Sequence, residues 1–217
     1  MLGLVSRRDA ARAVKTGEIL VDGIEAKASD MKISDGQVIT FLGEQIEVRG
    51  FVYILLHKPA GYVCSELDEG GHHSYKMLLQ DCPYAKMLHV AGRLDRDTEG
   101  LVFCTNDGNF THEIISPKKK EEKEYYVELA LPISDEDIQK LETGVTLDEG
   151  YVTMPAKAKR VSENIILLTI HEGKYHQVKR MAEAVNNSVT YLRRERIGEW
   201  TLEGLEKGRW KYLENVQ

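Results

Sequence analysis

The chain has 217 residues, 42% of them hydrophobic and 29% charged, a globular composition that allows one sizeable core with a smaller unit beside it. A formal net charge of -6 argues against a protein that coats nucleic acid nonspecifically, while a local RNA site remains compatible with it. The three scattered cysteines predict neither a disulfide framework nor a zinc site, and no apolar run approaches the ~20 residues of a membrane span, so we expect a cytoplasmic protein without a membrane anchor.

The first part of the chain, residues 1–48, predicts a small domain of one helix and several short strands. Ser6 opens a capping-box pattern, so a helix is expected to run from there to about Lys15. Turn signals at Asp22-Gly23 and Asp35-Gly36 then separate short β-like runs.

This order of helix and turns resembles the S4 RNA-binding domain. The matching segments are the Ser-Arg-Arg helix start, Gly-Glu-Ile-Leu-Val-Asp-Gly and Asp-Gly-Gln-Val-Ile. S4 domains begin with one more helix, for which the residues before Ser6 leave no room, so the domain is expected to lack its first helix. By this resemblance Arg7 and Arg8 are candidate RNA contacts.

Residues 49–217 predict a second, larger domain that is rich in strands. The predicted strands are Phe51–His57, Lys86–Val90, Leu101–Thr105, Lys123–Leu131, Lys157–Ser162, Asn164–His171 and Val189–Leu192. The predicted helices are Tyr75–Leu79, a helix containing Phe110 to Ile115, Ser134–Leu141 and Tyr175–Val185. Because strands outnumber helices without regular βαβ alternation, the fold class is α+β with a large mixed, mostly antiparallel sheet.

The connection from Ala91 to Leu101, with the sequence AGRLDRDTEGL, is unusually rich in charge for a turn between two strands. Its charged residues are Arg93, Asp95, Arg96, Asp97 and Glu99. Composition alone leaves two interpretations open, a solvated turn whose charges neutralise one another and a functional loop.

Basic residues are concentrated in two other segments. They outnumber acidic residues between Lys174 and Arg196, and Lys118 to Lys120 form a second cluster. Together these segments predict a basic face that could contact RNA phosphates. The candidate RNA contacts in them are Lys118, Lys119, Arg180, Arg193 and Arg194.

Four segments, in this order, resemble the motifs of the RsuA/RluB family of pseudouridine synthases. They are HKPAGYVCS (57–65), GRLDRDTEGL (92–101), KEYYV (123–127) and EGKYHQVKRM (172–181). The last segment is more similar to the small-subunit (16S) rRNA enzymes of the family than to the large-subunit enzymes, which tend to have Asn-Arg there. The resemblance covers nearly the whole chain.

The resemblance implies isomerisation of uridine to pseudouridine by a carboxylate, without a metal or an organic cofactor. The carboxylate acts at ribose C1′ or takes a proton from C2′. By resemblance it is Asp95, whereas spacing alone would not separate Asp95 from Asp97 or Glu99. Lys58 with Tyr62 resembles the segment that supports the active loop.

Further roles follow from the same motifs. Tyr125 matches the tyrosine that stacks on uracil, and Lys179 matches the basic partner of the catalytic carboxylate. Arg93 matches the residue that fills the space left by the flipped nucleotide. His176 and Gln177 are expected in the pocket wall, in contact with RNA.

Three other functions are weighed against this one. A non-catalytic RNA-binding or ribosome-assembly protein would tolerate the loss of Asp95, and a large-subunit rRNA synthase would share the chemistry. A retaining glycoside hydrolase would need a second carboxylate about 5 Å from the first, for which Asp97 is the candidate. The favoured prediction is a monomeric enzyme whose partner is ribosomal RNA or a partly assembled small ribosomal subunit.

Overall fold

The computed structural model describes residues 7–34, 36–46, 50–115 and 121–213. The described residues divide into two compact units, one that extends to Val52 and one that starts at Tyr53. No helix among the described residues has both the length and the apolar character needed to cross a membrane.

The smaller unit contains one helix and a four-stranded antiparallel sheet. Its elements are α1 (Arg7–Lys15), β1 (Ile19–Val21), β2 (Ile24–Glu25), β3 (Ile39–Phe41) and β4 (Glu44–Ile46). The sheet order is β2-β1-β3-β4, and the core is small, with Val21, Ala26 and Ile39 as its buried residues. The predicted helix start at Ser6 and the turn residue Asp35 lie outside the described residues.

The larger unit is built on one mixed sheet, which confirms the predicted α+β class. Its strands are β5 (Tyr53–Lys58), β6 (His89–Ala91), β7 (Glu99–Thr105), β8 (Lys123–Leu129), β9 (Lys157–Ser162), β10 (Ile165–Ile170), β11 (Val189–Ile197), β12 (Trp200–Thr201) and β13 (Trp210–Tyr212). Their order is β13-β5-β7-β11-β8-β10-β9, with β6 beside β7 and β12 beside β11. The pairing of β7 with β11 is parallel, and the other strand pairs are antiparallel.

Three α-helices and one 3-10 turn pack with this sheet. They are the 3-10 turn Tyr75–Leu79, α2 (Gly108–Ile115), α3 (Asp135–Thr143) and α4 (Gln177–Ala184). Ser134 caps α3 as its sequence predicts, because its hydroxyl accepts a hydrogen bond from the Asp137 amide. Helix α2 covers the middle of the sheet, where Phe110 meets Phe103 of β7 edge to face with ring centroids 5.3 Å apart.

Strand β11 is longer than its apolar pattern predicts. The prediction ended at Leu192, but the strand continues to Ile197. The added residues include Arg193 and Arg194, which pair in parallel with Glu99 and Gly100 at the start of β7. The apolar pattern does not predict this extension, because the buried residue Arg194 is charged and its guanidinium is satisfied by hydrogen bonds to the protein.

Glycine is required at position 100 for this pairing. Gly100 has a φ of +122°, and a Cβ there would lie 2.5 Å from the Arg194 amide nitrogen. Gly100 allows two protein strands to approach each other, while Gly92, with a φ of +80°, turns the chain out of β6.

Candidate active site

A cavity of about 640 Å³ opens in the larger unit beside the loop that connects β6 to β7. One side is the carboxylate loop, residues 92–98, and another is the facing loop, residues 171–176, which precedes α4. We call the residues of β8, β10 and β11 that line it the cavity floor. The cavity floor consists of Lys123, Tyr125, Ile170, Leu192 and Arg194.

The three acidic residues of the charged segment occupy different environments. Asp95 lines the cavity, and its side chain is 30% exposed. Asp97 lies outside the lining with 63% of its side chain exposed. Glu99 is buried behind the loop, where it pairs with Lys207 at 2.8 Å and contacts His57 at 3.3 Å. The structure therefore separates three candidates that their spacing in the sequence does not.

Lys179, in the first turn of α4, joins two of these carboxylates. Its Nζ lies 3.1 Å from Asp95 Oδ2 and 2.7 Å from Asp97 Oδ1. Burial alone would lower the pKa of Lys179, but the hydrogen bonds to Asp97 and Asp95 outweigh it and raise the pKa. Burial would likewise raise the pKa of Asp97, and the Lys179 hydrogen bond lowers it instead. Both groups are therefore held in their charged forms.

His176 completes the polar group around Asp95. Its Nε2 lies 3.5 Å from Asp95 Oδ1, and its ring stacks on Tyr175 with centroids 3.8 Å apart. His176 has a φ of 49°, a left-handed conformation that turns the chain into α4. Tyr175 is 74% exposed at the cavity rim, so the mouth carries an aromatic surface.

Two buried cations fix the backbone of the carboxylate loop. Lys58 is 0% exposed, and its Nζ donates hydrogen bonds to the carbonyls of Pro59, Tyr62 and Arg96 at 3.0, 2.9 and 3.3 Å. Burial lowers the pKa of Lys58 to about 8. These contacts support the loop in the way that the motif resemblance implies for Lys58.

Arg194 is the second of these cations. It is 2% exposed, and its guanidinium donates to the carbonyls of Leu101 at 2.8 Å and Gly92 at 2.6 Å. Its Nη1 also lies 3.5 Å from the Tyr125 hydroxyl. Arg194 was predicted as an RNA contact, but its burial and its protein acceptors favour a positioning role.

Tyr125 and Lys123 lie on the same face of β8, where buried and half-buried residues alternate. Tyr125 is 7% exposed and lines the cavity, as its predicted role requires. Lys123, which was not among the predicted site residues, is also 7% exposed and lines the cavity. Its position two residues before Tyr125 was the available signal.

A buried carboxylate holds the facing loop. Glu172 is 5% exposed and accepts hydrogen bonds from the Tyr151 hydroxyl at 2.6 Å, the Met154 amide at 2.9 Å and the Gln177 amide group at 2.8 Å. Gln177 also accepts from the Lys174 amide at 2.8 Å. Gln177 lines the cavity as predicted. Because it is only 4% exposed and its amide group bonds to protein, it helps to support the facing loop.

The structure brings together some of the predicted RNA contacts and not others. Arg93 is exposed at the cavity, and no carboxylate pairs with it within the described part of the chain. Arg180 lies outside the lining and pairs with Asp148 and Glu149, and Arg193 pairs with Glu195 at 2.5 Å. Because Arg180 and Arg193 are paired with protein carboxylates, they are not the free cations that a phosphate site would offer.

The remaining predicted contacts lie elsewhere in the chain. Arg8 is exposed on α1, and Arg7 begins that helix. Lys118 and Lys119 fall outside the described residues. Two neighbouring histidines that were not predicted as RNA contacts pair with other side chains: His72 contacts Arg96 at 2.5 Å, and His73 contacts Asp68 at 3.3 Å. In the described ranges, no group of three or more His, Cys, Asp or Glu side chains could hold a metal ion.

Known proteins are similar to this chain in sequence and in architecture. Residues 52–184 match the family model described as RNA pseudouridylate synthase. The chain is 44% identical over 210 residues to a ribosomal small subunit pseudouridine synthase A of Vibrio cholerae, covering 96% of this chain and 90% of that protein. It is 42% identical over 217 residues to the uncharacterized RNA pseudouridine synthase YtzG of Bacillus subtilis, covering 97% and 90%.

A solved structure agrees with these matches. A crystal structure of a pseudouridylate synthase superimposes with a TM-score of 0.72 at 37% sequence identity, covering 97% of this chain and 91% of that one. The motifs resembling pseudouridine synthases lie around the cavity described above, with Asp95, Tyr125 and Lys179 in its wall. The chain therefore belongs to the RNA pseudouridylate synthase family and is an isomerase.

Proposed function

We propose that this enzyme converts a specific uridine of small-subunit (16S) ribosomal RNA into pseudouridine, with Asp95 as the catalytic carboxylate. Relatives at 44% and 45% identity, each matched over 96% of this chain, are named ribosomal small subunit pseudouridine synthase A, which supports this choice of RNA. Membership of the family supports the reaction.

One observation carries the assignment of Asp95. Among Asp95, Asp97 and Glu99, only Asp95 lines the cavity, where a nucleotide could reach it. Lys179 Nζ lies 3.1 Å from Asp95 Oδ2, so the carboxylate that would attack C1′ or remove the C2′ proton has a fixed cationic partner. The exposed position of Asp97 fits an accessory role in holding Lys179.

Tyr125 and Arg93 take complementary roles in this proposal. The ring of Tyr125, in the cavity floor, stacks on the uracil and retains the base after its bond to ribose is broken. Arg93, exposed at the rim, enters the space that the flipped uridine leaves in the RNA. This insertion offsets part of the unstacking cost, which is a few kcal/mol.

The remaining assignments concern targeting. We propose that residues 1–48 form an S4-like RNA-binding domain without its first helix and that residues 49–217 form the catalytic domain. Arg7 and Arg8 would contact RNA through α1. The enzyme would act as a cytoplasmic monomer on ribosomal RNA or on a partly assembled small subunit. Comparing the modification of naked RNA with that of a precursor particle tests which substrate is used.

Release of tritium from C5 of labelled uridine measures the reaction directly. With 16S rRNA or its precursor particle as substrate, the wild-type protein should release the label, and Asp95→Asn should reduce the rate by about 1000-fold or more. Asp97→Asn is the matched control, and we expect a loss of less than about 10-fold because Lys179 keeps its contact with Asp95. Normal release by Asp95→Asn would falsify the assignment.

A further inference from the structure

Two buried cations of the cavity floor have no carboxylate partner among the described residues. Lys123 donates one hydrogen bond, to the Glu121 carbonyl at 3.0 Å. Arg194 donates to two carbonyls and lies 3.5 Å from the Tyr125 hydroxyl. All of these acceptors are uncharged, so no hydrogen bond between described residues neutralises the positive charge at this end of the cavity, although the Glu121 carboxylate acts on Lys123 at longer range.

Burying such charges is costly. A cation that is buried without an anionic partner loses its hydration, which favours the neutral form of the group over the charged one. Burial and the neighbouring Arg194 both lower the pKa of Lys123. An ammonium group has three donors, and Lys123 uses one of them on protein, which leaves donors for a molecule in the cavity. A site with these properties is prepared for an anion or for oxygen acceptors that develop negative charge.

The reaction itself produces such an anion. When the bond between C1′ and N1 breaks, its electron pair stays with N1, and uracil becomes a monoanion whose charge is shared with O2 and O4. The ribose then either carries a bond from C1′ to the Asp95 carboxylate or has lost its C2′ proton. After the base turns, C5 bonds to C1′ while the Asp95–C1′ bond breaks or, on the other route, while C2′ regains its proton. The C5 proton then leaves to a base, and N1 is protonated. Atoms and charge therefore balance with no outside reagent.

We propose that Lys123 binds the detached uracil as its anion, by hydrogen bonding to a ring carbonyl oxygen, while Arg194 behind it adds positive charge. This inference rests on the proposed use of the cavity as the uridine site. Lys123 lies on the same face of β8 as Tyr125, so a base stacked on that ring has its polar edge within reach of the floor cations. The arrangement holds the base at the stage when it has no covalent bond to ribose.

A single-turnover experiment separates binding from chemistry. When the Lys123→Met enzyme is present at a saturating concentration over the RNA, tritium release should be about 100-fold slower than with wild-type enzyme. The reason is that one preorganised donor to a developing negative charge is removed. The dissociation constant for RNA should change by less than about 3-fold because Lys123 is buried away from the phosphates. Lys159→Met, an exposed lysine of β9 in the same sheet, is the control and should match wild type.

Equal rates for Lys123→Met and wild-type protein would overturn the proposal. If Asp95→Asn is also fully active, the assignment of the cavity fails; if Asp95→Asn is inactive, the failure concerns Lys123 alone. A loss that appears only as weaker RNA binding would also contradict the proposal.

A second measurement uses the wild-type protein and does not depend on the folding of a variant. Binding of uracil and of 5-nitrouracil, whose ring is ionised at neutral pH, is measured by NMR titration. The anionic base should bind at least about 10-fold more tightly, in keeping with a pair of fixed charges facing it. Equal affinity, or a preference for neutral uracil, contradicts an anion site in the cavity floor.

Discussion

The two loops that line the cavity are held by side chains of opposite charge. The backbone of the carboxylate loop is fixed by the cations Lys58 and Arg194, which bond to carbonyls on both sides of Asp95. The facing loop is fixed by the anion Glu172, which accepts three hydrogen bonds just before α4 begins. In each case the buried anchor is opposite in charge to the group that it helps to position, Asp95 in the carboxylate loop and Lys179 in α4, directly after the facing loop.

This contrast shows how a charged site is kept rigid without neutralising its reactive groups. A cation bound to backbone carbonyls leaves the carboxylate of its loop free to face the cavity. An anion near the N-terminus of a helix is also favourably placed with respect to the helix dipole. Each anchor therefore sets both the position and the electrostatic environment of a catalytic candidate, so its loss should affect activity more than its distance from the substrate suggests.

Removal of Arg194 should have the largest effect on this arrangement. In Arg194→Met, the carbonyls of Gly92 and Leu101 lose a buried charged donor, and we expect the free energy of unfolding to fall by about 3 kcal/mol. Tritium release should fall by about 100-fold or more, because a small misplacement of the loop carries Asp95 with it.

Arg193→Met, at the next position of β11, is the stability control. Arg193 is half-exposed and pairs with Glu195, so urea unfolding should show a loss of less than about 1 kcal/mol. Equal losses for the two variants would mean that burial of the guanidinium does not anchor the loop.

Lys58→Met tests the other buried cation of the carboxylate loop. At pH 7.5 three carbonyls lose their shared donor, and the unfolding free energy should fall by about 2 kcal/mol, with activity about 10-fold lower. Burial holds the pKa of Lys58 at about 8, compared with 10.5 for an unperturbed lysine. Between these pH values the unfolded chain binds more protons, so this group makes the wild-type protein more stable as the pH rises.

The pH dependence provides the measurement. The difference in unfolding free energy between wild type and Lys58→Met should grow by roughly 2 kcal/mol from pH 7.5 to pH 9.5, as determined by urea titrations. A difference that stays constant over this range would show that burial does not lower the pKa of Lys58.

Glu172→Gln tests the anionic anchor of the facing loop and should have the smallest effect of the three. The amide keeps an acceptor, but it loses charge-assisted hydrogen bonds, so a loss of about 1.5 kcal/mol and roughly 5-fold in activity is expected. Tyr151→Phe removes only one of its donors and should cost about 1 kcal/mol. If Glu172→Gln impairs the reaction more than Arg194→Met, the carboxylate loop is not the more sensitive side of the cavity.

Much of the fold could be predicted from local pattern. Strand β8 alternates in sequence and in burial, and the caps and glycines of α3 mark its ends. The edge strand β13 escaped prediction because three residues carry too little periodicity. In the smaller unit, β4 is also three residues long and was missed for the same reason.

The site could be predicted only in part, because its anchors act across long separations in the chain. Arg194 bonds to Gly92, and Lys179 bonds to Asp95, yet nothing in the residues between them indicates these contacts. Motif resemblance pointed to Asp95, Tyr125 and Lys179, which the structure places around one cavity. Lys123 was passed over because a lysine in an alternating strand usually points to solvent.

The close approach at Gly100 has a consequence for how this enzyme can vary. The chain from Gly92 to Gly100 is attached at its first residue to the Arg194 side chain, at Arg96 to Lys58, and at its last residue to the Arg194 backbone. The number of residues between these attachments cannot change, since an insertion or deletion would break at least one attachment. The segment therefore has a fixed length, whatever side chains its exposed positions carry.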